Sequence, residues 1–217
     1  MLAERKGEIL GKKGVLTVIW GPMFSGKTAA LIEEIARSGY ADKISINVKP
    51  ANDNRYKEDS IVTHAGAEVK AFNVDQSNPE KILVLVKEKE DAGGRVDIIG
   101  IDEGQFFVPK EPDRLVSVVE ELLRQGKDVI VAGLAVDAND EPFGAMPILV
   151  AKADKPVFRT AVCTYRSDDG EVCGEDATKT ERLVDVYEQV VVGGVEIYAA
   201  SCRQHHGKHP RKFIDND

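Results

Sequence analysis

Residues 18–35, VIWGPMFSGKTAALIEEI, restrict the fold more than any other stretch: an apolar run breaks into a glycine-bounded loop and restarts with helical periodicity. Within it, Gly21, Pro22, Met23, Phe24, Ser25, Gly26, Lys27 and Thr28 have the spacing G-x-x-x-x-G-K-[ST]. That spelling makes a phosphate cradle only where a buried strand leads in and a helix leads out. The glycines let backbone N–H groups curl around phosphate oxygens, and the helix N-terminus adds partial positive charge. Both flanks are present. Residues 15–20 read as a buried strand, and residues 28–38 as a helix with Ala30, Leu31 and Ile35 on its apolar face and Gly39 as its stop. The loop is expected to bind ATP or GTP, with Lys27 reaching the outer phosphates and the Thr28 hydroxyl on the bridging Mg2+.

The same alternation continues downstream. Residues 44–48, 96–102 and 128–132 read as strands. Asn78 and Pro79 look like the N-cap and first position of a helix over 80–91, and Leu115, Val116, Val119, Leu122 and Leu123 form a helical face that stops at Gly126. Strands alternating with helices predict an α/β fold with a mostly parallel sheet covered on both faces. Residues 49–60, KPANDNRYKEDS, have loop composition. From about Val157 the pattern turns to short strands, charged loops and cysteines. The expected division is therefore a tail over 1–13, a phosphate-loop domain over 14–157 and a smaller domain over 158–217.

With 217 residues, 42% of them hydrophobic, the chain can bury one sizeable core plus a small appendage. A formal net charge of −8 argues against a protein that grips nucleic-acid backbone, although a local positive site can still hold a small anion. No apolar run approaches the roughly 20 residues that span a bilayer, and the opening MLAERKGEILGKKG lacks the apolar segment of a secretory signal. A cytoplasmic location without nucleic-acid or membrane partners is the expectation.

In RVDIIGIDEGQFF an apolar strand ends on Asp102 and Glu103. Ligands of open α/β sheets gather beyond the carboxyl ends of the strands, which places Asp102 near the Mg2+ held by Thr28, directly or through water. Glu103 is the carboxylate available to orient or deprotonate an attacking oxygen. At the far end Cys163, Cys173, Cys202 and His205 form a four-ligand set suited to a closed, structural Zn2+, with His206 and His209 as alternative fourth ligands. The spacing Cys202-x2-His205 is common in zinc knuckles, whereas x9 between Cys163 and Cys173 is long.

Taken together, GPMFSGKT, NDNRY, THAG, DEGQFF, PFG, the AVC…CG…A pattern, VVVGG and Y…CR resemble the thymidine kinase family of the zinc-bearing, RecA-like type over about residues 15–205. The resemblance implies transfer of the ATP γ-phosphate to the 5′-hydroxyl of thymidine, usually by a homotetramer. It implies Lys27, Thr28 and Asp102 for nucleotide and Mg2+, Glu103 as general base, and Asp53 and Arg55 near the phosphates, with Gln105 on the nucleotide side. Met23, Phe106, Leu134, Thr180 and Tyr198 would line the nucleoside pocket. A zinc-anchored lasso over about residues 174–195 would close on the base with the backbone of Val190, Val191, Val192, Gly193 and Gly194.

Two features depart from the family pattern. Ala135 and Ala138 stand where an aspartate and an aromatic wall are usual, with Asp137 the nearby acid, and x9 replaces the usual x2 between the first two cysteines. An insertion such as TYRSDDGE can bulge from a zinc knuckle without moving its ends, at a small entropic cost of about 0.6 kcal/mol per doubling of loop length. A broader nucleoside range, or a nucleotide-switched binding protein without phosphotransfer, are the other readings these residues admit.

Overall fold

The computed structural model describes residues 13–51, 60–62, 66–186, 188–191 and 193–211. Its centre is a six-stranded sheet built from β1 (Leu16–Trp20), β2 (Ser45–Pro50), β5 (Phe72–Val74), β6 (Ile98–Ile101), β7 (Asp128–Gly133) and β8 (Lys155–Phe158). The order is β5-β2-β6-β7-β1-β8, and every pairing in it is parallel. Parallel neighbours need crossovers, and here these carry α1 (Lys27–Gly39), α2 (Lys81–Asp91), α3 (Pro112–Arg124) and α4 (Met146–Lys152).

Strand periodicity decides which helix lies on which face. Leu16, Val18, Ile99, Ile101, Val129 and Val131 point into a cluster with Ile82 of α2, Leu115 of α3 and Met146 of α4. Their alternates Ile19, Ile98, Ile130 and Ala132 point the other way, onto Leu31 and Ile35 of α1. The expected doubly covered parallel sheet is thus present. A hairpin of β3 (Ser60–Val62) and β4 (Glu68–Lys70) extends the α1 side by burying Ile61 there.

One helix start differs from expectation. Asn78 and Pro79 lie ahead of α2, whose N-cap is Glu80. The cause is a tighter first turn: Asp75 Oδ1 accepts both the Ser77 N–H and Oγ–H, and Ile82 and Leu83 donate three residues back to Pro79 and Glu80.

Beyond Phe158 the chain changes to two antiparallel ladders, β9 (Ala161–Val162) with β10 (Asp176–Ala177), and β11 (Lys179–Arg182) with β12 (Tyr198–Ser201). Among the described residues no helix is long and apolar enough to cross a membrane.

Candidate active site

The loop from Gly21 to Gly26 joins β1 to α1 at the carboxyl edge of the sheet, and Gly26, left-handed at φ 74, admits the chain to the helix. Lys27 Nζ donates to the Pro22 carbonyl at 2.7 Å, and Ser25 Oγ, buried, donates to the same carbonyl at 2.8 Å. The Met23 N–H donates to Thr180 Oγ1 at 2.9 Å, which ties the phosphate loop to β11.

Two strands away, β6 delivers Asp102 to the same edge. Its carboxylate oxygens lie 3.2 and 3.4 Å from Thr28 Oγ1, and Asp102 is buried. A hydroxyl beside a carboxylate is a hard-oxygen pair that fits Mg2+. Glu103 follows with φ 52, a left-handed conformation that costs a non-glycine residue about 1–3 kcal/mol and recurs at functional sites. Gln105, expected on the nucleotide side, is fully buried; its amide donates to Glu103 Oε2 at 2.6 Å and accepts the Leu134 N–H at 3.0 Å.

A cavity of about 870 Å³ opens from this edge. Its walls include Phe24, Gly26, Lys27, Thr28, Asp102 and Glu103 on the phosphate side. Met23, Phe106, Leu134, Thr180 and Tyr198, with Val191, Gly193 and Gly194 of the segment ahead of β12, line the rest. Phe106 meets Phe143 edge-on, ring centroids 5.6 Å apart. Tyr198 Oη donates to the Val191 carbonyl at 2.7 Å and ties that segment to β12. Asp53, Arg55 and Val192 lie outside the described residues.

In the C-terminal part, the ligand atoms of Cys163, Cys173, Cys202 and His205 all lie within 4.8 Å of one another. His205 Nδ1 is 3.5 Å from Cys202 Sγ and 3.8 Å from Cys163 Sγ. Tetrahedral Zn2+, with Zn–S about 2.3 Å and Zn–N about 2.0–2.1 Å, sets such S···N separations at about 3.6 Å, so the donor set fits the ion. Burial pushes the Cys202 thiol up, but hydrogen bonds from the His205 and Gln204 backbone and from Cys163 bring it below the usual thiol range. The competing histidines are turned to other work. His206 Nδ1 is 3.9 Å from Asp140, and the His209 ring meets Tyr165 edge-on at 5.8 Å.

The long gap between Cys163 and Cys173 is a hairpin. Arg166 bridges Val172, and the Cys173 N–H returns to the Tyr165 carbonyl at 2.9 Å. The insertion bulges outward while its ends stay together, and it places the Tyr165 ring flat against His205, centroids 4.2 Å apart.

With that geometry in place, likeness to known proteins is informative. The sequence profile of the family described as thymidine kinase matches residues 14–206. A thymidine kinase of Coprothermobacter proteolyticus is 42% identical over 205 residues, covering 92% of this chain and 93% of that protein. One of Thermococcus kodakarensis is 41% identical over 199 residues, covering 89% and 94%.

This chain belongs to the thymidine kinase family.

Against the thymidine kinase pattern, the two alanines have different fates. Ala135 is buried in the core cluster beneath the sheet, whereas Ala138 faces the cavity. Asp137 also lines the cavity. Its Oδ1 accepts the Asn139 and Glu141 N–H groups at 2.8 and 3.0 Å, and its Oδ2 accepts Gln189 Nε2 at 3.0 Å. It thereby laces the loop after β7 to the segment between β11 and β12.

Sequence reasoning missed several residues of this thymidine kinase cavity. Lys49 and Arg182 line it and are buried, at 3% and 4% exposure, where an isolated lysine or arginine in a sequence reads as a solvated charge. Lys49 carried one signal, its place at the carboxyl end of β2. Arg182 carried another, since it lies two residues after Thr180 on one strand and so shares its face. Its guanidinium donates to the Val186 and Gln189 carbonyls and sits 5.7 Å from the Tyr198 ring centroid, tying the end of β11 to the segment that follows it.

Proposed function

We propose that this protein is an ATP-dependent thymidine kinase that transfers the γ-phosphoryl group of ATP to the 5′-hydroxyl of thymidine, giving dTMP and ADP. The observation that carries the reading is the shared cavity, in a member of this family: a phosphate loop, an acid pair and an aromatic, backbone-lined pocket open into one space. A charged triphosphate suits the Lys27 end, and a flat pyrimidine, whose edge presents donors and acceptors, suits the end lined by Phe106, Val191, Gly193 and Gly194.

Lys27 sets its ammonium against the phosphoryl group in transit. Thr28 and Asp102 are the residues that would hold Mg2+, which when bound neutralises charge on the outer phosphates. Glu103 accepts the proton of the 5′-hydroxyl as that oxygen bonds to the γ-phosphorus and the bond to the β–γ bridging oxygen breaks. Asp53 and Arg55 belong to this reading as residues acting on the phosphates. Cys163, Cys173, Cys202 and His205 would hold a structural Zn2+ with no open position, anchoring the lasso rather than taking part in transfer. A homotetramer in the cytoplasm completes the reading, and sedimentation of the purified protein measures the assembly.

Stoichiometry tests the reaction. Purified protein with magnesium-ATP should form ADP only when thymidine is present, with one dTMP for each ADP. ADP formation that ignores thymidine, with no dTMP, would contradict a kinase.

A further inference from the structure

Gln105 sits between the acid assigned to proton transfer and the wall assigned to the nucleoside. Its amide nitrogen donates to Glu103 Oε2 at 2.6 Å, and its amide oxygen accepts the Leu134 N–H at 3.0 Å. The residue has no exposed surface. A buried amide is costly unless its donors and acceptor are used, and here both ends are engaged inside the protein. The fold also leaves room for it: a Cβ on Gly133 would lie 2.4 Å from Gln105 Oε1 and 3.0 Å from Met146 Sδ. Glycine at the end of β7 is what lets the glutamine reach Leu134.

Glu103 leaves the chain from a left-handed residue just past β6, at the mouth of a wide cavity. The 2.6 Å bond from Gln105 fixes the direction of one oxygen of that carboxylate. We propose that Gln105 is a positioning residue for phosphoryl transfer. It holds the Glu103 carboxylate at the angle from which the base meets the 5′-hydroxyl, and it couples that angle to the Leu134 wall of the nucleoside pocket. The inference rests on the reading of Glu103 as the base. Gln105 exchanges no proton and touches no phosphate in this role.

The test is a double-mutant cycle with Gln105→Met, Glu103→Gln and the pair combined, reading kcat and the KM of thymidine and ATP. A misplacement of about 1 Å in a reacting geometry costs on the order of 100-fold, so Gln105→Met should lower kcat by about 10- to 100-fold. Both KM values should stay within about threefold, because the group acts in the transition state rather than in binding. In the Glu103→Gln background the same change should cost nothing further, since a residue acting through Glu103 has nothing left to position. Gln105→Glu keeps an acceptor for the Leu134 N–H but sets a second carboxylate against Glu103. It too should lower kcat, and it carries the test if the methionine variant does not fold. An equal loss in both backgrounds, or a loss that falls mainly on KM, overturns the proposal in favour of a structural role. Wild-type kcat in a folded Gln105 variant, with Glu103→Gln inactive, overturns this proposal alone. Wild-type turnover by Glu103→Gln overturns the base assignment, and this proposal with it.

Discussion

Thr180→Val isolates the bond that ties the phosphate loop to the C-terminal part of the chain. Thr180 is buried at 5% exposure, and its Oγ1 accepts the Met23 N–H at 2.9 Å. Valine keeps the branched shape, so no cavity opens and the change reduces to one lost acceptor. A net hydrogen bond is worth about 0.5–1.5 kcal/mol, and the half-buried Met23 N–H can recover part of the loss from water, which puts the cost near 1 kcal/mol. For a chain of this size that is a fall in melting temperature of about 2–4 °C. If the bond also holds the loop for its ligands, about 1 kcal/mol becomes roughly fivefold in the KM of ATP and of thymidine together. Thr180→Ser, which keeps the hydroxyl, should recover both. Thermal unfolding with steady-state kinetics on the three proteins reads the outcome. A valine variant matching wild type in stability and in both KM values would refute the reasoning, as would a serine variant as impaired as valine.

Other parts of the site make separable predictions. Tyr198→Phe removes the donor to the Val191 carbonyl and should raise the thymidine KM by about two- to tenfold while leaving the ATP KM within about twofold, as one lost hydrogen bond implies; an equal rise for ATP would contradict the assignment. Asp102→Asn keeps a neighbour for Thr28 but weakens a carboxylate ligand, so the magnesium concentration for half-maximal rate should rise and part of the loss should return at high magnesium; a loss indifferent to magnesium would place Asp102 elsewhere in the mechanism. Elemental analysis should find one zinc per chain in wild type and little in Cys202→Ser, with lower thermal stability, because a closed Cys3His site contributes directly to folding. Zinc retained in that variant would dismiss Cys202 as a ligand.

Strands β1, β6 and β7 were readable because they are largely apolar runs, and the phosphate loop fixed where the first of them ends. What escaped has physical causes. β8 is an edge strand whose Lys155, Pro156 and Phe158 are exposed, so it offers no apolar run to notice. The helix over Met146–Lys152 has seven residues, too few for a helical period to declare itself. In the site, the phosphate loop and the acid pair were legible because each follows the carboxyl end of an apolar strand, where ligands of open α/β sheets gather. Lys49 and Arg182 were not, since a charged residue reads as solvated until the fold buries it, and Gln189 was not, since its partner Asp137 lies 52 residues away in the chain. That His205 rather than His206 or His209 lies with the three thiols was equally invisible in sequence; in the fold its ring stacks on Tyr165, while His206 Nδ1 lies 3.9 Å from Asp140.

Monophosphate formation from magnesium-ATP and each of thymidine, deoxyuridine, deoxycytidine, deoxyadenosine and deoxyguanosine, resolved by chromatography, tests the account most directly. The account predicts product from thymidine well ahead of the rest, with the cavity beside Ala138 tolerated. Product mainly from a purine nucleoside, or none from any while ATP still binds, would contradict it.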